Sequence, residues 1–295
     1  MDSDSLIIAV FCLVDDALPR VTPGRLRQRG PRPVLCDSEV LTVELVGEYL
    51  GLDRDTELFS YFRRHYGHFF PALCRVHRTT FARQAANLWK VKEALWQRLL
   101  PQTGCDPAWA LVDSFPVAVC RFARAPRSRT FRGEAGFGKD HTIKQTFYGF
   151  RLHARVCWPG VVTRLSVCAA GVADAAVLEE LTDGTGGVCL GDRAYWAPEL
   201  HARLREHGLE TLTPFRKAKS DPDPERSRAI SSIRYRIETV FGQLCERFSV
   251  KRVWARDRWH LASRLLRKLL AHTVGVILNR AQGKEPLRLA ELLTN

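Results

Sequence analysis

The hydrophobic pattern changes once along the chain, near Gly104-Cys105-Asp106-Pro107. Before that point the apolar residues recur at helical spacing. Residues 6–14 predict a short apolar helix. Asp37 or Ser38 is placed to cap a second helix through Leu41, Leu45 and Tyr49, closed by Gly51. Thr56 opens a third through Phe59, Tyr61 and Phe62. Thr79 or Thr80 opens a fourth, which runs without interruption through Phe81, Leu88, Trp89, Leu95, Trp96 and Leu99. Residues 1–104 are therefore expected to form a helical domain, either a helix-turn-helix-like DNA-binding module or a plain packing bundle.

Beyond it, short β-rich runs appear at residues 108–112, 149–157 and 161–170, the last two joined by the turn dipeptide Pro159-Gly160. Helix and strand then alternate: a helix at 174–181, a strand at 188–190, a helix at 198–207 and a strand at 209–213. Residues 218–227, with Pro222 and Pro224, predict a polar loop, and helices resume from 230 to about 282. A hairpin beside alternating helices and strands implies an α/β fold with a mixed sheet flanked by helices, spanning residues 105–295.

Composition adds a partner. The 295 residues are 45% hydrophobic and 26% charged, enough for packed cores, and the net charge is +13 with a pI near 9.6. Such a basic excess fits a polyanion, nucleic acid before a membrane surface. The nine cysteines form no CxxC pair and sit mostly in apolar runs, the pattern of buried thiols in a reducing cytoplasm. Asp2 and Asp4 precede the first apolar run, so a signal peptide is not expected, and no run reaches membrane length. His65, His68, Cys74 and His77 have metal-binding side chains, but their spacing matches no common zinc finger, and packing or surface roles are favoured.

The candidate chemistry lies in three acids. Asp113 follows the apolar run 109–112, Asp192 follows 187–191, and Glu238 lies in a helical stretch beginning at Ile230. Acids beyond apolar strands gather at one rim of a sheet, and a glutamate on a helix has the reach to join them. Such carboxylates suit Mg²⁺, and two ions about 3.5–4 Å apart can serve both ends of an in-line phosphoryl transfer. Around them lie two basic stretches. Residues 121–144 carry Arg121, Arg124, Arg127, Arg129, Arg132, Lys139 and Lys144 with Gly133, Gly136 and Gly138, a flexible loop expected to track DNA phosphates. Residues 247–268 carry Arg247, Lys251 and Arg252, expected to contact DNA phosphate, with Trp254 and Trp259 among the bases. A tryptophan there can stack on an unpaired base or fill a core. Leu265, Leu266, Leu269, Leu270, Val274 and Ile277 form a helical stripe, either core or dimer seam.

Four segments carry a resemblance: Val112-Asp113-Ser114-Phe115-Pro116-Val117, Tyr148-Gly149-Phe150-Arg151-Leu152-His153, Leu190-Gly191-Asp192-Arg193-Ala194-Tyr195 and Ile233-Arg234-Tyr235-Arg236-Ile237-Glu238-Thr239-Val240. Together they resemble the signature segments of bacterial DDE insertion-sequence transposases, most closely insertion-sequence family 982. The resemblance covers most of the chain. It implies an RNase H-like catalytic domain and a metal-binding triad of Asp113, Asp192 and Glu238. It further implies two Mg²⁺ or Mn²⁺ ions, and cutting and joining at transposon ends in a dimer or larger synaptic complex in the bacterial cytoplasm, at the nucleoid. Arg234 matches the family's arginine four residues before the glutamate, positioned to contact phosphate, orient Glu238 or pair with it. The lysine expected seven residues after the glutamate is Cys245 here. Two other functions stay open at this point: a DNA-binding protein with a degenerate RNase H-like domain, and a metal-dependent nuclease without strand transfer.

Overall fold

The computed structural model describes residues 1–24, 26, 27, 30–140, 143–252 and 254–293, and divides into two compact units. Unit 1 is Met1–Thr103 with Leu244–Asn295; unit 2 is Gly104–Gln243. The C-terminal helices thus join the N-terminal ones, where the sequence pattern had grouped 105–295 together.

The reason lies in the helix Arg258–Ala281, which is buried on nearly every side. A helix buried on nearly every side, its Arg267 and Lys268 included, has to be surrounded by other elements. In unit 1 it packs against Asp37–Tyr49, Arg78–Asn87 and Trp89–Leu99. Numbered in chain order, the helices of unit 1 are α1 (Ser3–Val21), α2 (Asp37–Tyr49), α3 (Asp55–His65), α4 (Arg78–Asn87), α5 (Trp89–Leu99) and α10 (Arg258–Ala281). The leucine stripe of α10 is core: Leu265, Leu269, Leu270 and Val274 are at most 2% exposed. Gly275 permits this closeness, because a Cβ there would lie 2.7 Å from Leu289 and 2.9 Å from the Tyr49 hydroxyl. That hydroxyl donates to the Ala271 carbonyl.

Two local expectations change. The cap of α2 is Cys36, one residue before Asp37: its Sγ accepts from Glu39 N at 3.3 Å, while Glu39 Oε2 accepts from Cys36 N at 2.7 Å. This is a capping box with a thiol in place of a hydroxyl. The single helix expected over 79–99 is two, divided at Leu88, whose ψ of 11° takes it out of helical geometry. None of the cysteines forms a disulfide among the described residues.

His272 on α10 is fully buried beside Phe248, and burial pushes its imidazole down to about 4. A depressed histidine contributes stability above its unfolded value of 6.5, and this is lost as pH falls towards 4. The melting temperature of wild-type protein should therefore fall between pH 7 and pH 4, and His272→Leu should flatten part of that fall. An unchanged profile would show that His272 is not buried as a neutral ring.

Among the described residues, unit 2 is built on a six-stranded mixed sheet. Its strands are β1 (Asp106–Ala118), β2 (Gly136–Asp140), β3 (Gln145–Trp158), β4 (Val161–Ala169), β5 (Gly187–Leu190) and β6 (Leu209–Leu212), ordered β2-β3-β1-β5-β6 with β4 also on β3. β1, β3 and β4 form an antiparallel meander, and β5 and β6 add in parallel beyond β1. The parallel additions follow the crossover helices α6 (Asp174–Thr182) and α7 (Pro198–Glu206). Val177, Leu178 and Leu181 of α6 bury against Ala110, Val112, Cys157, Cys189 and Tyr195. The helices α8 (Pro224–Ile233) and α9 (Tyr235–Glu246) follow β6.

Two expectations are corrected here as well. The stretch 121–144 is not one flexible loop, because Gly136–Asp140 is a strand paired with β3. Its glycines serve close approach: a Cβ on Gly138 would lie 2.5 Å from the Ala170 carbonyl oxygen. The loop expected over 218–227 ends early, since Asp223 caps α8 through Arg226 N at 3.0 Å and Pro224 takes the first turn, where its missing N–H costs nothing. Among the described residues no helix is long and apolar enough to cross a membrane.

Candidate active site

β1 runs on well past Asp113, so this acid is mid-strand. Its parallel neighbour β5 stops at Leu190, which pairs with Leu111. Asp113 lies two residues further along β1 and Asp192 two residues past the end of β5, so the register carries the two acids to the same level where the parallel pairing ends. Leu111 and Val112 are buried on opposite faces, which holds β1 in place up to that point.

Asp113 is largely buried. Its Oδ1 accepts from Ser114 N at 2.8 Å and its Oδ2 from Arg234 Nη2 at 2.7 Å. Burial pushes the Asp113 carboxyl up to about 6; Arg234 opposes the shift and the neighbouring Asp192 adds to it. Asp192 Oδ1 accepts from Ala194 N at 2.8 Å, starting the short turn Arg193–Tyr195. Both carboxylates are thus held by backbone N–H groups and keep lone pairs for another ligand.

Glu238 lies in the first turn of α9, exposed to solvent. The helix crosses the face of β1 that carries Asp113: Arg234, just before it, holds Asp113, and Phe241 packs edge-on against Phe115 with centroids 4.7 Å apart. Glu238, four residues after Arg234 and three before Phe241, belongs to the same helical stripe. The structure brings Asp113, Asp192 and Arg234 together. Among the described residues no three metal-ligating side chains converge on one point. Arg234 spends its charge on Asp113 and joins α8 to α9 as the cap residue of α8.

The opposite face of β1 carries a polar group that the sequence pattern did not single out. Asp174, at the start of α6, accepts from Ser114 Oγ at 3.2 Å and lies 3.9 Å from Arg151 Nε. His153 Nδ1 is 3.6 Å from Asp174 and 3.2 Å from the Tyr195 hydroxyl. Burial, then Arg151, pushes His153 down to about 4, so at neutral pH it is an uncharged hydrogen-bonding ring and not half of an ion pair. Asp174 was discoverable as another acid at an element boundary; nothing in its neighbours in sequence pairs it with Ser114.

The bases divide by exposure. Arg121, Arg124, Arg127, Arg129, Arg132, Lys139 and Lys144 all face solvent, as do Lys251 and Arg252. Arg247 is half-buried with its guanidinium 6.0 Å from the Tyr49 ring centroid, and burial lowers its proton affinity. Cys245 is half-buried too, its thiol pushed up by burial. His77 caps α4 through Thr79 N, and His65 packs against Tyr61 at 4.7 Å.

A meander of three antiparallel strands, extended in parallel by β5 and β6, with one acid on β1 and another just past the end of β5, defines an RNase H-like domain. The model of the family described as "Transposase DDE domain" matches residues 104–277. The chain belongs to that family, the DDE transposases, which cut DNA and transfer its strands. The fold also resembles the solved piggyBac transposase synaptic complex with hairpin DNA, at 10% identity and a TM-score of 0.51, over 99% of this chain and 78% of that one. No curated protein matches.

Proposed function

We propose that this transposase hydrolyses the 3′ ends of a mobile DNA element and joins them to target DNA, using Asp113, Asp192 and Glu238 as its catalytic acids. The observation that carries this reading is the pair Asp113–Asp192, at one level of adjacent parallel strands within the family-matched segment. The donor set is hard oxygen, and Mg²⁺ commonly takes one or two carboxylates and completes its shell with water and substrate phosphate. Two converging aspartates therefore fit such an ion, Mg²⁺ or Mn²⁺, and Glu238 would hold a second. The ions, when bound, supply an activated water or hydroxyl and neutralise charge on the leaving oxygen.

The chain's own groups prepare that site. Ser114 N and Ala194 N fix the orientation of the two aspartates. Arg234 supplies positive charge beside the pair, which keeps Asp113 available as a carboxylate at neutral pH. Arg121, Arg124, Arg127, Arg129, Arg132, Lys139, Lys144, Lys251 and Arg252, exposed and basic, suit non-specific contact with phosphates. The N-terminal helices, residues 1–104, are the candidate end-recognition module. Two ends have to be held together for joining, so we further assign a dimer or larger complex. The four sequence segments favour insertion-sequence family 982 and a bacterial, nucleoid-associated setting.

The test uses full-length protein and the DNA flanking its own coding sequence. With Mg²⁺ and a target plasmid, cleaved ends and joined products are expected, and chelation by EDTA should abolish both. Cleavage without joining would favour a nuclease. Binding without cleavage would favour a degenerate DNA-binding protein.

A further inference from the structure

Unit 1 contains a cavity of ≈ 410 Å³ that the acid site does not explain, within the size range of small-ligand pockets. Its walls come from the starts of α3 and α4 and from the segment before α10, and include Arg54, Thr56, Arg78, Thr79, Trp254 and Arg264. Trp254 is 57% exposed, an unusual position for the largest apolar side chain, and its φ of +42° is in the left-handed region that bulky residues avoid. Three contacts fix the residue: its indole Nε1 donates to Asp53 Oδ2 at 3.3 Å, the Arg54 guanidinium lies 5.0 Å from its ring centroid, and its backbone carbonyl accepts from Arg264 Nη1. Strain of this kind is retained at sites that use it.

The charges around the cavity are unequal in availability. Asp55, the acid in its wall, is consumed: Arg264 holds it at 2.7 Å and Arg267 at 3.3 Å. Burial pushes the Asp55 carboxyl up, but those two guanidiniums outweigh it and hold the carboxyl below its ordinary value. Arg78 is exposed and makes no ion pair among the described residues. Among the described residues no side chain caps α3 at its N-cap Arg54, which leaves first-turn N–H groups for an acceptor. An open cation, unfilled donors and a fixed aromatic ring describe a receptor for a phosphate joined to a flat ring. A base-paired nucleotide is already stacked on both faces and cannot offer one to Trp254; an unpaired nucleotide can.

We propose that this cavity holds one unpaired nucleotide of a DNA strand, its base on Trp254 and its phosphate on Arg78. The proposal rests on the DNA-joining function given above and names a second contact for the strand. It is tested by fluorescence anisotropy on the full chain, with a labelled single-stranded oligonucleotide and a blunt duplex of the same length. Trp254→Ala and Arg78→Ala should each weaken single-strand binding between about five- and a hundredfold. Duplex affinity should change less than about threefold, which also reports an intact fold, and Trp254→Phe should restore most single-strand binding. Equal losses on both DNAs, or none on either, would overturn the proposal. If dAMP bound in a Trp254-dependent way while strand binding was unaffected, the cavity would belong to a free nucleotide. If the unaltered protein bound neither DNA, the DNA reading and this proposal would fail together.

Discussion

Asp113→Asn should abolish DNA cleavage while leaving duplex binding and folding intact. The substitution keeps the shape of the side chain and its acceptor for Ser114 N, but removes the negative charge that the proposed metal site would use. A loss of at least about a thousandfold in rate, on the order of 4 kcal/mol of activation free energy, is expected for a metal-binding carboxylate. Stability should move the other way. The Asp113 carboxyl is raised from 3.8 to about 6 in the folded protein, so ionising it in place opposes folding at neutral pH. That penalty is at most about 3 kcal/mol, and losing the Arg234 partner offsets part of the gain from removing it. The variant should melt at or above the wild-type temperature at pH 7. The difference should shrink as pH falls towards 4, where wild-type Asp113 takes up its proton. Wild-type cleavage rates, or a large drop in melting temperature, would show that Asp113 is structural.

The second large effect lies in unit 1, where α2, α5 and α10 enclose a network of charges. Glu48 is 2% exposed and accepts from Arg267 Nε and from Lys268 Nζ at 2.8 Å. Glu44 pairs with Lys92 at 2.7 Å, and Lys92 also donates to Ser263 and to the Ala85 carbonyl. Burial lowers the proton affinity of both lysines against the pull of Glu44 and Glu48. Removing one partner from such a network leaves a buried charge without compensation. Glu48→Ala should therefore cost about 3–5 kcal/mol and lower the melting temperature by roughly 10 °C. The double variant Glu48→Gln, Lys268→Met removes both charges of one pair while Arg267 keeps Glu44 and Asp55, at 3.7 and 3.3 Å, so most of that loss should be recovered. If the double variant melted as low as the single one, shape and not charge would explain the effect.

These two regions were legible in the sequence to different degrees. Asp113 and Asp192 stood out because each follows an apolar run, and a buried parallel strand is apolar on both faces. The network of Glu44, Glu48, Lys92, Arg267 and Lys268 did not stand out, because charged residues on amphipathic helices usually face water. Only the crowding of α10 by three neighbours puts them inside. Glycine misled for a similar reason: Gly136 and Gly138 suggest flexibility locally, whereas they admit β2 beside Ala169 and Ala170. The break at Leu88 and the Cys36 cap departed from propensity because tertiary packing and an unusual acceptor outweighed it.

The helical character of the N-terminal stretch, the order of most strands and helices, and the two aspartates that follow apolar runs could be read from the sequence alone. These follow from periodicity and from local chemistry, which act over a few residues. The tertiary structure decided which residues meet across long separations. It joined Arg234 to Asp113, set Asp174 behind Ser114, carried α10 into the N-terminal unit and left Glu238 on the surface of α9. Such pairings depend on strand register and on which faces remain to be buried, and both are properties of the assembled sheet and bundle.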